Sequence, residues 1–199
     1  MTRIKICGLT QAVDVQKAIE LGADMLGFIH VPKSPRHVPT DKLAALLALV
    51  PEHISSVLVV QNTAEEELEA LRQQFSFNYF QFHGDEPPTY PARFGGYRVI
   101  HVRDGQVQPP DTDELFLLDT QTGKQRGGTG KTFDWTILPS VQGTYLVAGG
   151  LGPDNVGELV SRYRPWGVDV SSGIEARPGH KDHAQMQRFV ESVRKESHP

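Results

Sequence analysis

The 199-residue sequence predicts a small (β/α)8 barrel, in which a closed ring of parallel strands is surrounded by helices. Two observations predict this fold. Strand-like and helix-like segments alternate eight times along the chain, and the strand-like segments are nearly continuous apolar runs, as in parallel strands covered on their outer face. A doubly wound open sheet is the alternative, but no Gly-x-Gly-x-x-Gly follows the first strand. Such barrels typically have about 250 residues, so we expect shortened or irregular crossovers after strands 4 to 6.

Composition limits the class of protein. Residues 1–199 suit one domain, and hydrophobic and charged contents of 38% and 22% are ordinary for a globular chain. The net charge of −4 gives no general attraction for nucleic acid or anionic membranes. No apolar run approaches the roughly 20 residues of a membrane span, and no signal-peptide pattern opens the chain. A single cysteine agrees with a reducing compartment. We expect a cytoplasmic monomer rather than a homodimer.

The first four strand–helix units follow one pattern. Strands are predicted over Ile4–Gly8, Met25–Val31, Ile54–Gln61 and Tyr79–Gly84. Amphipathic helices follow the first three strands; Thr10 is a candidate N-cap of the first helix, and Thr40 opens the second. Thr63 and Glu66 also have capping-box spacing. After the fourth strand, Asp85-Glu86-Pro87-Pro88 allows only a short helix.

The second half contains weaker helices. Its strands are predicted over Arg98–Arg103, Leu115–Thr120, Tyr145–Gly150 and Gly167–Ser172. The crossover from Asp104 to Glu114 has two prolines and no helical stripe, so an irregular loop is expected there. A glycine-rich loop from Gly123 to Gly130 follows strand 6, with a short helix around Trp135–Leu138. Apolar stripes predict full helices after strands 7 and 8.

Polar residues at the strand ends predict a site. In (β/α)8 barrels the active site lies at the C-terminal ends of the strands. Residues two apart share a face, so one mouth can receive side chains from several ends: Cys7-Gly8, Gln81-Phe82-His83-Gly84, Asp119-Thr120, Gly149-Gly150 and Ser171-Ser172-Gly173. The glycines and serines that end strands 7 and 8 lie where many barrels bind phosphate through backbone N–H groups. Simple turn formation is the other interpretation of these residues.

Cys7 and Asp119 are the candidate reactive groups. A buried small hydrophobe is the alternative for Cys7, and a loop cap is the alternative for Asp119. A free thiol has a pKa of about 8.5, which Lys5 on the same face is a candidate to lower, unless Lys5 instead pairs with Asp169. Partial burial would raise the pKa of Asp119 and let it donate a proton at neutral pH. A thiol base and a carboxylic acid facing a phosphorylated ligand indicate sugar-phosphate isomerisation.

Two loops supply further candidates. Arg36, after strand 2, is either a solvated cation or a bidentate clamp for a ligand carboxylate. The loop Gly127-Gly128-Thr129-Gly130-Lys131 is a candidate mobile lid and lacks the spacing of a nucleotide P-loop. His83 either supports the ligand or fills the mouth. We predict no metal site, because other histidines are not suitably spaced: His30, His53 and His101.

Six separated motifs resemble those of the phosphoribosylanthranilate isomerase family, in order and over a similar total length. The motifs are Lys5-Ile6-Cys7-Gly8-Leu9-Thr10, Gln81-Phe82-His83-Gly84, Leu118-Asp119-Thr120, Gly127–Trp135, Ala148-Gly149-Gly150-Leu151 and Asp169–Glu175. Pro178-Gly179 and Lys181-Asp182 complete the pattern. The departures are Phe82, where the family often has leucine, His180 in the last motif, and Pro35, which restricts the loop before Arg36.

The resemblance implies a small barrel in tryptophan biosynthesis that performs an Amadori rearrangement without metal or cofactor. The substrate would be N-(5-phospho-β-D-ribosyl)anthranilate and the product 1-(2-carboxyphenylamino)-1-deoxy-D-ribulose 5-phosphate. By position, Asp119 matches the general acid that opens the furanose ring, Cys7 the general base that removes the C2 proton, and Arg36 the group that holds the anthranilate carboxylate. The other substrate-binding residues implied are Gln81, His83, Gly128, Gly149 and, at the phosphate, Gly150, Ser171, Ser172 and Gly173.

Two other functions are considered. A different sugar-phosphate isomerase barrel would act through two carboxylates, and Cys7 stands where that chemistry requires aspartate. A catalytically inactive, phosphosugar-binding regulatory barrel would have no need of both Cys7 and Asp119.

Overall fold

Eight parallel strands form one closed sheet. The computed structural model describes residues 1–103, 106–108, 114–122, 125–126 and 132–197. The barrel strands are β1 (Arg3–Ile6), β2 (Met25–Ile29), β3 (Ser55–Val60), β4 (Tyr79–Phe82), β5 (Gly96–Val102), β6 (Phe116–Thr122), β7 (Tyr145–Val147) and β8 (Gly167–Val170). Each strand pairs in parallel with the next along the chain, and β8 pairs with β1 to close the ring. The predicted (β/α)8 barrel is confirmed.

Side chains of each strand alternate between two cores. In β1, Ile4 and Ile6 join the large apolar cluster beneath the helices, whereas Lys5 between them bonds to Asp169 of β8 inside the barrel. The interior is filled mainly by an apolar cluster of Met25, Val57, Tyr97, Val99, Leu117, Leu146 and Ala148. Both faces of the sheet are therefore buried, which explains the continuous apolar runs of its strands.

In the described part of the chain, six α-helices cover the outside of the sheet. They are α1 (Ala12–Glu20), α2 (Thr40–Leu47), α3 (Glu65–Gln74), α4 (Tyr90–Phe94), α5 (Val156–Tyr163) and α6 (His183–Glu196). Each buries a stripe at helical spacing; in α6 the stripe is Met186, Phe189, Val190 and Val193. Across the described ranges, none of the helices has the length and apolar character needed to cross a membrane.

Within the described residues, the crossovers after β4 and β6 are reduced, as predicted. After β4 the chain forms only the five-residue α4, which begins beyond Pro87-Pro88. After β5, Arg103 and Gln106 form an isolated bridge, and the rest of the predicted Asp104–Glu114 loop lies largely outside the described residues. After β6 the helix is a 3₁₀ segment, Trp135–Ser140, with Pro139 inside it. Most of the Gly123–Gly130 loop, including Gly128, also lies outside the described residues.

The caps predicted at Thr10 and Thr63 are wrong, whereas Thr40 opens α2 as predicted. The N-caps of the first three helices are Gln11, Pro39 and Ala64, and none of them makes a side-chain capping bond. Thr10 instead donates its hydroxyl hydrogen to the carbonyl of Gly179, which ties the β1 loop to the loop after β8. A bond between residues so distant in sequence overrides the local capping preference.

A short antiparallel hairpin after β8 was not predicted. Its strands are Glu175–Arg177 and His180–Lys181, joined through Pro178-Gly179, where Gly179 has φ of 78°. The hairpin leads into α6, which is capped by Asp182 through the backbone N–H groups of Ala184 and Gln185. This hairpin carries charged residues back towards the barrel mouth.

Candidate active site

A cavity of about 460 Å³ opens at the C-terminal ends of the strands. Nine of the eleven site residues predicted from the sequence line it: Cys7, Arg36, Gln81, His83, Asp119, Gly149, Gly150, Ser171 and Ser172. Gly173 adjoins Ser172 in a short 3₁₀ turn, Ser172–Ile174, without lining the cavity. Gly128 lies outside the described residues. The strand ends therefore do bring these side chains to one mouth.

Cys7 follows β1 and is buried, with 4% of its surface exposed. Its backbone N–H donates to the carbonyl of Val170 at 2.9 Å, which fixes the chain where β1 ends. Gly27 of β2 faces the thiol so closely that a Cβ there would lie 2.7 Å from Sγ. Only glycine leaves room for a thiol in this position.

The electrostatics of Cys7 differ from expectation. Burial raises the pKa of the thiol above its ordinary value, and the positive charges of Lys5 and Lys181 oppose the shift without cancelling it. Lys5 does act to lower the thiol pKa, as hypothesised, but burial has the larger effect. Lys5 also pairs with Asp169, because its ammonium lies 2.9 Å from that carboxylate. Burial alone would lower the pKa of Lys5, but Asp169, with Cys7 and Tyr97, outweighs it and holds that pKa above its usual range.

Asp119 lies on β6 with 5% of its surface exposed. Burial raises the pKa of its carboxyl to about 7, and the charge of Asp169 adds to that effect, while the Thr120 N–H and Lys5 act against it. The Thr120 N–H donates to Oδ1 at 2.8 Å, and Nε2 of His83 lies 3.6 Å from Oδ2. Both the acid and the carboxylate forms of Asp119 are thus populated at neutral pH.

Gly149 makes space beside Asp119. It has φ of 85°, in the left-handed region, and a Cβ there would lie 2.8 Å from Oδ1 of Asp119 and 2.7 Å from the backbone nitrogen of Thr120. A side chain at this position would displace the carboxyl group and strain the backbone. The glycine after β7 therefore has a steric role as well as its predicted role near an anion.

The ends of β7 and β8 present unused hydrogen-bond donors. Within the described residues, the backbone N–H groups of Gly150 and Ser172 have no acceptor, and the buried hydroxyl of Ser171 has no partner. Asn155 holds the glycine turn in place, since its amide donates to the Gly150 carbonyl and accepts from the Gly152 N–H, both at 2.9 Å. Converging free donors on a rigid turn are the chemistry of an anion site.

Arg36 is not a free surface cation. Its Nε and Nη2 donate to Oε1 and Oε2 of Glu175 at 2.8 and 2.6 Å. Hydrogen bonding to Glu175 raises the pKa of Arg36 further. Burial alone would raise the pKa of Glu175, but Arg36 and Lys181 outweigh it and hold that pKa low. This side-on pairing uses one bidentate edge of the guanidinium and leaves the Nη1–Nη2 edge for a ligand.

Gln81 and His83 complete the cavity wall above β4. The Gln81 amide oxygen accepts from the hydroxyl of Tyr97 at 3.1 Å inside the barrel. Nε2 of Gln81 lies 3.5 Å from Nδ1 of His83, and the His83 ring packs edge-on against His101 with centroids 5.4 Å apart. His83 is thereby oriented on one side by Gln81 and on the other by its neighbour.

Residues missed by the sequence analysis hold the predicted ones in place. Gly27, Asn155, Glu175 and Lys181 have no reactive role that a motif would reveal, yet they position Cys7, the glycine turn and Arg36. A signal was available for the hairpin, because Pro178-Gly179 between two charged residues is typical of a tight turn. It gave no indication that Glu175 pairs with Arg36, 139 residues away.

The fold and the cavity together define a class. A closed (β/α)8 barrel with titratable groups at its mouth and free donors after β7 and β8 is typical of enzymes that act on phosphorylated small molecules. A family model described as N-(5'-phosphoribosyl)anthranilate (PRA) isomerase matches residues 4–192.

Individual relatives agree with the family model. The N-(5'-phosphoribosyl)anthranilate isomerase of Dechloromonas aromatica (strain RCB) is 41% identical, with 98% of this chain and 97% of that protein covered. A crystal structure of phosphoribosyl anthranilate isomerase from Thermotoga maritima has a TM-score of 0.85 at 31% identity, covering 98% of this chain and all of that one (100%). A further structure, of the isomerase with reduced 1-(o-carboxyphenylamino)-1-deoxyribulose 5-phosphate, has a TM-score of 0.81 at 29% identity, covering 98% and 100%. The chain belongs to the phosphoribosylanthranilate isomerase family.

Proposed function

We propose that this chain converts N-(5-phospho-β-D-ribosyl)anthranilate to 1-(2-carboxyphenylamino)-1-deoxy-D-ribulose 5-phosphate, a step of tryptophan biosynthesis. One observation carries the proposal beyond family membership. Asp119, a buried carboxyl whose pKa is raised to about 7, lines the same cavity as the buried thiol of Cys7. A carboxyl that can still hold its proton near neutral pH, in one cavity with a candidate base, suits a reaction made of two proton transfers.

Asp119 acts first, as the general acid. Its protonated form donates to the furanose ring oxygen while the nitrogen lone pair forms a C=N bond to C1 and the C1–O bond breaks. The ring opens to a cationic Schiff base. The raised pKa supports this role, because a carboxyl of ordinary pKa would have lost its proton at pH 7.

Cys7 acts second, as the general base, in its thiolate form. It takes the proton from C2 of the sugar, and the electron pair left behind gives an enolamine that becomes the ketone. Burial holds the free enzyme's thiol protonated, but Lys5 and Lys181 favour the thiolate. The positive Schiff base formed in the first step adds a further cation and favours that thiolate again.

Arg36 and the ends of β7 and β8 bind the two anionic ends of the substrate in this proposal. The open Nη1–Nη2 edge of Arg36 suits the anthranilate carboxylate. Gly150, Ser171 and Ser172 bind the phosphate, as supported by their unpaired donors, and Gly173 adjoins them in the turn after β8. Gln81, His83, Gly149 and, outside the described residues, Gly128 contact the substrate between these ends.

A fluorescence assay that follows the loss of freshly made phosphoribosylanthranilate tests the proposal. We expect turnover by the purified chain, unaffected by a metal chelator. Arg36→Ala should mainly raise KM, since it removes a binding group remote from the reacting carbons. A chain that binds the substrate without consuming it would instead be the inactive regulatory barrel.

We also propose a cytoplasmic monomer. The single cysteine suits a reducing compartment. The large hydrophobic side chains that the described residues expose, Met1, Val13 and Tyr79, belong to separate segments. A related structure is described as mutually generated monomers of a dimeric isomerase from Thermotoga maritima, so a dimer is the alternative to test. Light scattering after size exclusion should give the mass of one chain, and twice that mass would refute the monomer.

A further inference from the structure

Glu175 and Lys181 form a buried pair at the edge of the cavity. They face each other across the hairpin after β8, where their Cα atoms are in register, and the Lys181 ammonium lies 3.0 Å from Oε1 of Glu175. Their side chains are 0% and 4% exposed, for Lys181 and Glu175 respectively. A fully buried ammonium is costly unless it is paired and hydrogen-bonded, so this arrangement needs an explanation beyond surface solubility.

Each member of the pair also contacts one of the two anion-binding elements. Glu175 occupies the Nε–Nη2 edge of Arg36 with both carboxylate oxygens. The Lys181 ammonium donates to the backbone carbonyl of Ser171 at 3.0 Å. One ion pair therefore links the arginine of the β2 loop to the strand end that carries the free donors.

Gly8 brings the same two elements together from the opposite side. A Cβ at Gly8 would lie 2.8 Å from Cδ of Arg36 and 2.8 Å from Oγ of Ser171. Gly8 has φ of 73°, which a side chain would strain. The stem of Arg36 and the hydroxyl of Ser171 are thus both packed against one small residue at the tip of β1.

The hairpin itself is anchored to the helical shell. The backbone N–H of Lys181 donates to the buried carboxylate of Asp14 at 3.0 Å, and the other oxygen of Asp14 lies 2.8 Å from Nε2 of His183. These bonds join the hairpin to α1 and α6. The Glu175–Lys181 pair consequently has a fixed frame from which to hold Arg36 and Ser171.

We propose that Glu175 and Lys181 are positioning residues that set the separation between Arg36 and Ser171. This separation selects ligands that carry a carboxylate and a phosphate at one spacing. The inference rests on the proposed function, because it takes Arg36 as the carboxylate-binding group and Ser171 as a phosphate-binding one. Neither Glu175 nor Lys181 takes part in proton transfer.

Binding of two probes to the full chain tests this role by calorimetry. Reduced 1-(o-carboxyphenylamino)-1-deoxyribulose 5-phosphate carries both anions, whereas ribose 5-phosphate carries the phosphate alone. Glu175→Gln should weaken binding of the first probe by about tenfold or more and of the second by less than about threefold. It removes the carboxylate that holds Arg36, whereas Lys181 keeps its own bond to the Ser171 carbonyl. Lys181→Met should weaken the binding of both probes, and Lys181→Arg should recover most of the lost affinity.

A double-mutant cycle separates positioning from general structural damage. If Glu175 acts through Arg36, Glu175→Gln should change the affinity for the two-anion probe by less than about twofold when Arg36→Ala is already present. Glu65→Gln, which disrupts the exposed Glu65–Arg93 pair on α3 and α4, is the matched control and should leave both affinities unchanged. Thermal melts establish that each variant is folded; if Lys181→Met does not fold, the Glu175 cycle decides alone.

The outcomes are distinguishable from those of the proposed function. The positioning role would be overturned if Glu175→Gln weakened the binding of both probes equally. It would also be overturned if Glu175→Gln weakened binding of the two-anion probe to the same extent with and without the Arg36 side chain. Turnover of phosphoribosylanthranilate would stay normal in either case. Probe binding without any turnover of phosphoribosylanthranilate would overturn the proposed reaction and leave the positioning role standing. A chain that neither binds the two-anion probe nor turns over the substrate would overturn both.

Discussion

The ammonium of Lys5 lies 2.9 Å from the carboxylate of Asp169, a residue that lines the cavity together with Cys7. The ladder between β1 and β8 places their Cα atoms directly opposite each other. This pair answers a question that the sequence left open, since Lys5 is bound as a counter-ion and only opposes the rise in the Cys7 pKa. Both charges are tolerated in the interior because each is paired with the opposite charge of the other.

Replacing Lys5 by methionine should destabilise the protein by about 3–5 kcal/mol, because it leaves the Asp169 carboxylate buried without its partner. Urea unfolding at pH 7 measures the change. The double variant Lys5→Met/Asp169→Asn should recover much of the loss. Lys17→Met, which removes a partly exposed pair with Glu20, is the control and should cost at most about 1 kcal/mol. A Lys5→Met protein as stable as the control would contradict the interior ion pair.

Replacing Gly27 by alanine should displace the Cys7 thiol, because the added Cβ would lie 2.7 Å from Sγ. We expect a stability loss of about 1–3 kcal/mol from overpacking, and a fall in turnover. Combining it with Cys7→Ala should restore part of the stability by removing the sulfur. Gly157→Ala in α5 is the control, since its Cβ would meet only Cγ of Glu196 at 3.7 Å, and it should stabilise by up to about 1 kcal/mol. Equal effects of the two alanines would refute a steric role for Gly27.

Much of the fold was predictable because it depends on local pattern. Alternating strand and helix segments, apolar strands and proline-containing crossovers each have a direct physical consequence in a parallel barrel. The reduced crossovers after β4 and β6 followed from the same observations. The predicted cap at Thr10 was wrong, because Thr10 is used by Gly179 and the preference of threonine for N-caps is weak enough to be overridden.

The candidate site was predictable only in part. The strand-end rule brought Cys7, Asp119 and the serines of β8 to one cavity. It could not reveal the groups that hold them, because Glu175 meets Arg36 only through tertiary folding. The direction of the Cys7 pKa shift was also beyond the sequence, since it depends on the depth of burial as well as on which charges are near.

Asp119→Asn should make the protein more stable at high pH. The folded pKa of Asp119, about 7, lies above its ordinary 3.8, so the folded state binds the proton more tightly than the unfolded state. The stabilising effect of this difference is complete below 3.8 and is lost as pH rises through about 7. Asparagine has no charge to bury. The free energy of unfolding of Asp119→Asn, relative to wild type, should therefore be roughly 2–3 kcal/mol larger at pH 8.5 than at pH 5.

Thermal melts at the two pH values measure this advantage. Asp154→Asn, on an exposed pair with Arg188, is the control and should show the same difference from wild type at both pH values. An Asp119→Asn advantage that does not grow between pH 5 and pH 8.5 would mean that Asp119 does not bind its proton near neutrality.

The pH dependence of kcat/KM should have an acid limb near pH 7. The active form has Asp119 protonated and Cys7 ionised, and the pKa of Cys7 is raised above its ordinary value, so this form is a minor species. Its population rises about tenfold per pH unit up to the pKa of Asp119 and then stays constant until the thiol ionises. In Asp119→Asn the residual activity should continue to rise above pH 7. If the acid limb of the kcat/KM profile stayed at the same pH in this variant, it would report the pKa of a group other than Asp119.

The most direct test of the account is the kcat of Cys7→Ala and Asp119→Asn with freshly made phosphoribosylanthranilate at pH 7, measured by substrate fluorescence beside wild type. The account predicts that each variant remains folded and that its kcat falls by about 10²-fold or more, the scale expected when a general acid or base is removed. Turnover close to wild type in either variant would contradict the assignment of Asp119 as the acid or Cys7 as the base.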